Sequence, residues 1–426
     1  MKKLKNILLI CLVTLVSANI SKAYTPNGEI EGNWIGKIKN DLIRITLVIF
    51  EEDEGDSWGE WSSSEKFKKE ELAGLEFEKE HDFKMTREAG TILFHGKFTG
   101  NNGVGSFTFT PENSYKNYFV NNGYEDISDK RFLSLCLVNV TTDYVKDIKN
   151  SGYSDLSISK LISFSALKIT PQYINEIQDM GFEDISPSKM VSLKALDIDK
   201  EYIKKLKEIF PDISPSKVIS FAAQDITIEY IKEVQNIIPD ISPSKIISFK
   251  ALGINEEYIK KLQEDFSDIS TSKIISFKAQ DIDNVYIKEM KAVLPDISPS
   301  KIISFKALGI NKDYINKLQI EFPDISSSKI TSFKAQDIDN VYIKNFKGLF
   351  GDISPSKVIS FKAQDITVEY IKEIRAMGFP DISPSQIISF KALDIDKAYI
   401  EHIKEVVDGK KELSAKDIIN MKALGI

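Results

Sequence analysis

Any chemistry in this chain has to come from a short supply of reactive side chains. Of 426 residues, three are His and two are Cys, beside 56 Lys and Arg and 63 Asp and Glu. The densest acidic run, Glu51-Glu52-Asp53-Glu54-Gly55-Asp56, could hold a divalent cation, because hard cations favour clustered carboxylate oxygens. It lacks the spaced ligands of a calcium loop, and its composition suits a solvated hairpin tip. His81 and His95 could act as bases or metal ligands, but neither has a second His at ligand spacing. No His-Glu-x-x-His, Gly-x-Ser-x-Gly or phosphate-cradling glycine loop is present, and no Cys has a plausible His partner. The expectation is therefore no enzyme, no cofactor and no protein-bound metal.

What the chain has instead is repetition. Ten of its 15 Tyr share one periodic position: Tyr144, Tyr173, Tyr202, Tyr230, Tyr258, Tyr286, Tyr314, Tyr342, Tyr370 and Tyr399. Such an aromatic ladder could bind glycans or peptides, although its place in a short helix favours a core role with the hydroxyl at the rim. A second series is Lys194, Lys250, Lys278, Lys306, Lys334, Lys362, Lys391 and Lys422. Each lies inside an apolar helix arc, where a cation must reach solvent or find a carboxylate. The Asp that opens each repeat is the expected partner, giving a structural ion-pair ladder, although Cys136, Ser165 and Ala222 replace the Lys where the Asp remains. The third series is polar: Lys245, Ser248, Lys273, Ser276, Gln280, Lys301, Ser304, Lys329, Ser332 and Gln336. This strip is expected to be exposed and is the candidate recognition face, with a merely solvated helix surface as its alternative.

The elements that carry these series follow from the period. Units of 28 or 29 residues begin at Asp126, Asp155, Asp184, Asp212, Asp240, Asp268, Asp296, Asp324, Asp352 and Asp381, with a partial unit from Glu412. In the unit at Asp240, Ser242 is a helix N-cap and Pro243 takes the first helical position. Ile241 and Ile246 form a hydrophobic staple. Gly253 stops the helix in a left-handed conformation, and Asn255 caps a second, amphipathic helix with Tyr258, Ile259, Leu262 and Phe266 on one stripe. Neither helix is long enough to be stable alone. Stacking is required, which predicts an α-solenoid over 126–426 of ten helix pairs plus a terminal half repeat. Units 240 and 296 share Ala-Leu-Gly-Ile-Asn, and units 268 and 324 share Ala-Gln-Asp-Ile-Asp-Asn-Val-Tyr, a super-period of 56 residues.

Ahead of the repeats, residues 28–118 hold all three Trp and alternate apolar with polar side chains. Ile43–Ile49, Thr91–Phe94 and Ser106–Thr110 read as strands, with Lys39-Asn40-Asp41 and Asn101-Asn102-Gly103 as turns. A small antiparallel sheet or barrel of six to eight strands is expected, so the fold class is α+β and multidomain. Residues 1–23 combine a basic start, a short apolar run and small residues, the pattern of a secretory signal peptide. Its removal would leave Cys136 as the only thiol and no segment long and apolar enough for membrane insertion. Residues 24–125 carry 11 Lys and Arg against 19 Asp and Glu, whereas 126–426 carry 41 against 44. A near-neutral array is a poor nucleic-acid binder.

Val138-Asn139-Val140-Thr141, Tyr144-Val145, Ser151-Gly152-Tyr153-Ser154-Asp155-Leu156-Ser157 and Leu161-Ile162 resemble a tandem helix-pair repeat of bacterial envelope proteins. That repeat is similar to the extracytoplasmic segments of antirepressor-type membrane metallopeptidases and of uncharacterised secreted relatives. Gly32-Asn33-Trp34-Ile35-Gly36, Phe94-His95-Gly96-Lys97-Phe98 and Gly103–Pro111 fit the same company. The resemblance implies an architecture and an exported setting. The peptidase module is missing, and Leu, Gln or Val replaces the His of the pattern, so peptidase activity is not implied. The expected function is an exported, non-enzymatic scaffold, periplasmic or secreted, that binds a protein or peptide along the repeats. The alternative is a β domain that binds a small ligand or divalent cation, carried on a helical stalk.

Overall fold

The computed structural model describes residues 29–52, 58–125, 127–407 and 413–425. The signal segment and Asp53–Asp56 of the acidic run lie outside them. Six strands come first: β1 (Ile30–Lys39), β2 (Leu42–Glu52), β3 (Trp58–Phe67), β4 (His81–Arg87), β5 (Gly90–Thr99) and β6 (Asn102–Pro111). They form one antiparallel sheet in the order β3-β2-β1-β6-β5-β4, two three-stranded meanders joined through β1 and β6. The sheet is open, because β3 and β4 do not pair among the described residues, so the barrel alternative is not realised.

The alternation read in the sequence sorts the two faces. Ile43, Ile45, Leu47 and Ile49 of β2 are buried, as are Ile92, Phe94 and Phe98 of β5. Trp34 is the centre of this core, edge-on to Phe83 and Phe94 and 5.4 and 6.1 Å from their ring centres. Glycine makes the seat: a Cβ on Gly36 or Gly103 would come within 2.7 Å of the Phe98 ring, closer than packed carbons approach. Asn40 and Asp41 turn β1 into β2 with positive φ, as expected. The other turn is shifted: Gly100 and Asn101 make it, while Asn102 and Gly103 already belong to β6.

Helix α1 (Asn113–Asn121) follows β6 directly, within the stretch expected to be β structure. After it come the helix pairs, beginning with α2 (Asp129–Leu137) and α3 (Thr142–Asn150) and including, for the unit at Asp240, Pro243–Ala251 and Glu256–Asp265. We call the first helix of each unit A and the second B. Among the described residues there are eleven A helices and ten B helices, and the class is α+β.

The predicted stops are present. Gly253 has φ 64°, its N–H bonds to Lys250 O at 3.1 Å, and Ile254 N–H bonds to Phe249 O at 2.8 Å, the two bonds of a Schellman motif. The same left-handed residue recurs from Asn139 to Asp394 and includes Lys168, which lacks the usual preference for that conformation. B helices are capped strongly: Thr141, Thr170, Asp199, Asn255, Asp283, Asn311, Asp339, Thr367 and Asp396 each accept from the N–H of the following Tyr. A helices vary: Ser298 and Ser383 accept a capping bond, whereas Ser242 and Ser270 do not. In the unit at Asp240 the side chains of Ile246, Phe249, Ile254, Ile259 and Leu262 are all at most 1% exposed. The chain separates into two compact units between Ile228 and Glu229, inside the repeats and not at the sheet–helix junction.

That junction is tight for an electrostatic reason. The β4–β5 turn presents Arg87 and Glu88 to opposite poles of neighbouring helices. Arg87 donates to the carbonyls of Cys136 (2.8 Å) and Leu137 at the C-terminus of α2, while Glu71 holds its other guanidinium nitrogen at 2.7 Å. Glu88 accepts from Thr142 N–H (3.0 Å) and its hydroxyl at the N-terminus of α3. Each charge meets the helix end of opposite sign. Removing the Arg87 side chain should cost about 2 kcal/mol locally, because two half-buried carbonyls lose a charged donor. Arg87→Ala should speed hydrogen exchange of α2 amides roughly thirty-fold while leaving units beyond residue 240 unchanged. Unaltered exchange in α2 would contradict this role.

Candidate functional site

The B-helix Tyr reaches forward into the next unit. Tyr286 donates its hydroxyl to Ile310 O at 2.6 Å, in the turn that follows the next A helix. Tyr144, Tyr202, Tyr230 and Tyr342 do the same to Ile169, Ile226, Ile254 and Ile366. The aromatic ladder is thus structural, with its rings half-buried. Burial pushes the phenols of Tyr202, Tyr230, Tyr258, Tyr286, Tyr314, Tyr342 and Tyr370 up to about 12.

The Lys in the apolar arc completes this joint, and not in the expected way. Lys250 lies over the Tyr230 ring at 5.0 Å, Lys278 over Tyr258 at 4.8 Å, Lys306 over Tyr286 at 5.0 Å and Lys422 over Tyr399 at 4.1 Å. Lys194, Lys334, Lys362 and Lys391 repeat the arrangement. None of these Lys pairs with the Asp that opens its unit among the described residues. The ion-pair ladder is therefore a cation–π ladder, in which the ammonium meets the ring of the preceding unit and avoids desolvating a carboxylate. At the sites without Lys, Ser165 donates to Val138 O at 2.6 Å and Cys136 to Gly90 O at 3.7 Å. The Cys136 thiol is buried, which holds its pKa up at about 12 and makes it a poor nucleophile.

A second cation series closes the B helices. Lys291 donates to Asp265 O at 2.8 Å while stacking over Phe266, and Lys404 donates to Met377 O at 2.9 Å over Phe379. Lys347 and Arg375 serve Glu321 O and Leu349 O in the same manner. A cation on the last carbonyls of a helix is favourable on charge grounds as well. This series was missed in the sequence because Gln263 and Gln319 interrupt it.

The same geometry reveals an overlooked half unit. Tyr115 of α1 donates to Val140 O at 2.6 Å, the bond that Tyr144 makes to Ile169 one unit later. Helix α1 therefore acts as a B helix ahead of the first full unit. The signal was present: Gly123-Tyr124-Glu125-Asp126-Ile127-Ser128 parallels Gly152-Tyr153-Ser154-Asp155-Leu156-Ser157.

The candidate recognition residues occupy one face of the A helices. Lys245, Ser248, Lys273, Ser276, Gln280, Lys301, Ser304, Lys329, Ser332 and Gln336 are all half-buried, where exposure was expected, because neighbouring units flank them. The Ser hydroxyls are already engaged: Ser248, Ser276, Ser304 and Ser332 donate to the carbonyls four residues earlier at 3.2, 2.9, 3.0 and 3.1 Å. Gln224, Gln280, Gln336 and Gln364 hold a buried Oε1 without a partner, and the Tyr173, Tyr258 and Tyr314 hydroxyls are likewise unpartnered. The Lys of this face have no carboxylate within ion-pair distance among the described residues.

His81 is structural, its ring nitrogens bonded to Glu76 N–H and Lys79 O at 2.8 Å each. His95 is exposed beside Asp82 (2.7 Å) and Glu80 (3.5 Å), and the hydrogen bond to Asp82 holds its pKa above the ordinary value. No group of three or more metal-ligating side chains occurs among the described residues, and no helix there is long and apolar enough to cross a membrane. No family model, curated protein or solved structure matches the chain.

The Tyr joints set an alkaline limit. A phenol whose folded pKa is raised above its unfolded value of about 10 stabilises the fold fully below that pH and ceases to do so as pH rises through the folded value. The array should therefore lose helicity between about pH 10 and 12, with tyrosinate absorbance appearing in the same transition. Tyrosinate forming fully near pH 10 without loss of helix would contradict the buried joint.

Proposed function

We propose that this protein is an exported, non-enzymatic scaffold that binds a protein or peptide along the A-helix face of its repeats. One observation carries the reading: consecutive units present the same Lys and Ser positions at a fixed spacing, and those Lys are not consumed by the fold. A surface periodic over many units matches an extended or repetitive partner, whereas a compact small ligand needs one enclosed site. Residues 1–23, with their basic start and short apolar run, support export. The likeness of Val138–Thr141 and Ser151–Ser157 to envelope repeats supports the same setting. Kinship with the extracytoplasmic segments of antirepressor-type metallopeptidases is part of this proposal, without their catalysis.

A second reading has its own support. Val285, Ile320 and Val341 on the B helices are 66%, 77% and 65% exposed, an apolar set suited to a partner that grips the opposite face. Capture from an envelope extract separates the two. With the full chain as bait, Ser276→Glu/Ser304→Glu/Ser332→Glu should abolish capture of a specific protein, and Val285→Ser/Val341→Ser should retain it. The reverse pattern would move the site to the B helices, and no specific capture by the unaltered chain would defeat the proposal.

A further inference from the structure

The two helix faces differ in how their charges are spent. On the B helices, Lys260 pairs with Glu256 and Lys261 with Glu257, both at 2.5 Å, and Lys397 with Glu401 at 3.6 Å, while Lys288, Lys312, Lys317 and Lys372 stand exposed in solvent. On the A helices of five consecutive units, Lys245, Lys273, Lys301, Lys329 and Lys357 occupy one position, all half-buried, and none has a carboxylate partner among the described residues. Their local hydrogen bonding is weak. Lys245 donates to the Ser272 hydroxyl of the next unit at 2.9 Å, a neutral acceptor that leaves the charge uncompensated. The nearby Ser hydroxyl protons are committed to helix carbonyls, so the ammonium groups are this face's spare donors. Each also sits in the first turn of its helix, where the backbone adds positive potential. The nearest acids in sequence, Asp240, Asp268, Asp296, Asp324 and Asp352, are exposed ahead of the caps and leave these Lys unpaired.

From this we propose the partner's chemistry: an extended acidic polypeptide segment lying across the A helices of residues 243–363, with one carboxylate at each Lys. The inference rests on the peptide-binding reading above and narrows it. Packed helices stand about 8–10 Å apart. An extended chain advances about 3.3 Å per residue, so an acid at every third residue matches the Lys column. The near-neutral array disfavours a nucleic acid, which draws its affinity from net positive charge.

The test uses the full chain and a labelled peptide of about 15 residues with Asp at every third position and Gly or Ser between, followed by fluorescence anisotropy. Binding is expected, weakening on the order of tenfold between about 50 and 200 mM salt. Lys273→Gln/Lys301→Gln/Lys329→Gln should lower affinity on the order of tenfold, a loss of about 1.4 kcal/mol. Lys260→Gln/Lys261→Gln on the B helices should change nothing, and the Arg triple variant at 273, 301 and 329 should retain binding. Absence of binding to the Asp peptide would overturn the inference, as would equal loss in the B-helix control. Equal affinity for an Asn-substituted peptide would refute the acidic chemistry while leaving peptide binding standing. Tighter, Lys-dependent binding of dextran sulfate would reassign the face to a polyanionic glycan.

Discussion

The joint between successive units is the contact on which the helical part depends. At Tyr230, Tyr286 and Tyr342 the B-helix hydroxyl reaches the turn carbonyl of the next unit and the next A helix lays a Lys over the ring, and at Tyr173, Tyr258 and Tyr314 the Lys is over the ring alone. Each repeat has two helices of about three turns or fewer, too short to persist unaided. Burial supplies most of the stabilisation: each full unit hides at least six apolar side chains, at roughly 1.5–3 kcal/mol apiece. A Tyr hydrogen bond adds about 1 kcal/mol and a cation–π contact a similar amount. Oily packing alone tolerates sliding, so the polar joint contributes register more than bulk stability. It also explains a Lys in an apolar arc, because the ring face receives the charge without a buried carboxylate.

The same economy separates the two faces. Cations at the B-helix ends close helix carbonyls, and those along the B helices either pair with Glu or stand exposed, whereas the A-face Lys column is half-buried and unneutralised. The Arg87–Glu88 turn applies the rule at the sheet, each charge set against the helix pole of opposite sign. The unmatched Lys of the B helices are exposed to solvent, whereas those of the A face are half-buried and recur in register. That contrast is the physical basis for placing a partner on the A helices.

Most of the fold was legible because it depends on local rules. Ser-Pro starts, left-handed stops at residues such as Gly253 and Asp281, and stapled Ile fixed the helix pairs without tertiary knowledge. Asn40-Asp41 announced a hairpin for the same reason. The errors concern contacts between units. Lys250 was assigned to Asp240 because charge suggests a carboxylate, while its true partner, Tyr230, lies 20 residues earlier in the previous unit. Helix α1 escaped notice because its Tyr115 follows a strand and lacks a preceding A helix. The Ser248 strip was placed in open solvent because a helix pattern shows its own apolar face but not how far neighbours crowd the rest. Distances between units are not encoded in any one unit's pattern.

A double-mutant cycle at one joint is the most direct measurement of this account. Tyr286→Leu and Lys306→Met remove the two partners separately and together, with unit stability read from native-state hydrogen exchange. The account predicts that the two losses are not additive and that a coupling energy of about 0.5–1 kcal/mol or more joins the residues. Additive losses would mean that ring and ammonium are neighbours without an interaction, and the joint would reduce to apolar packing.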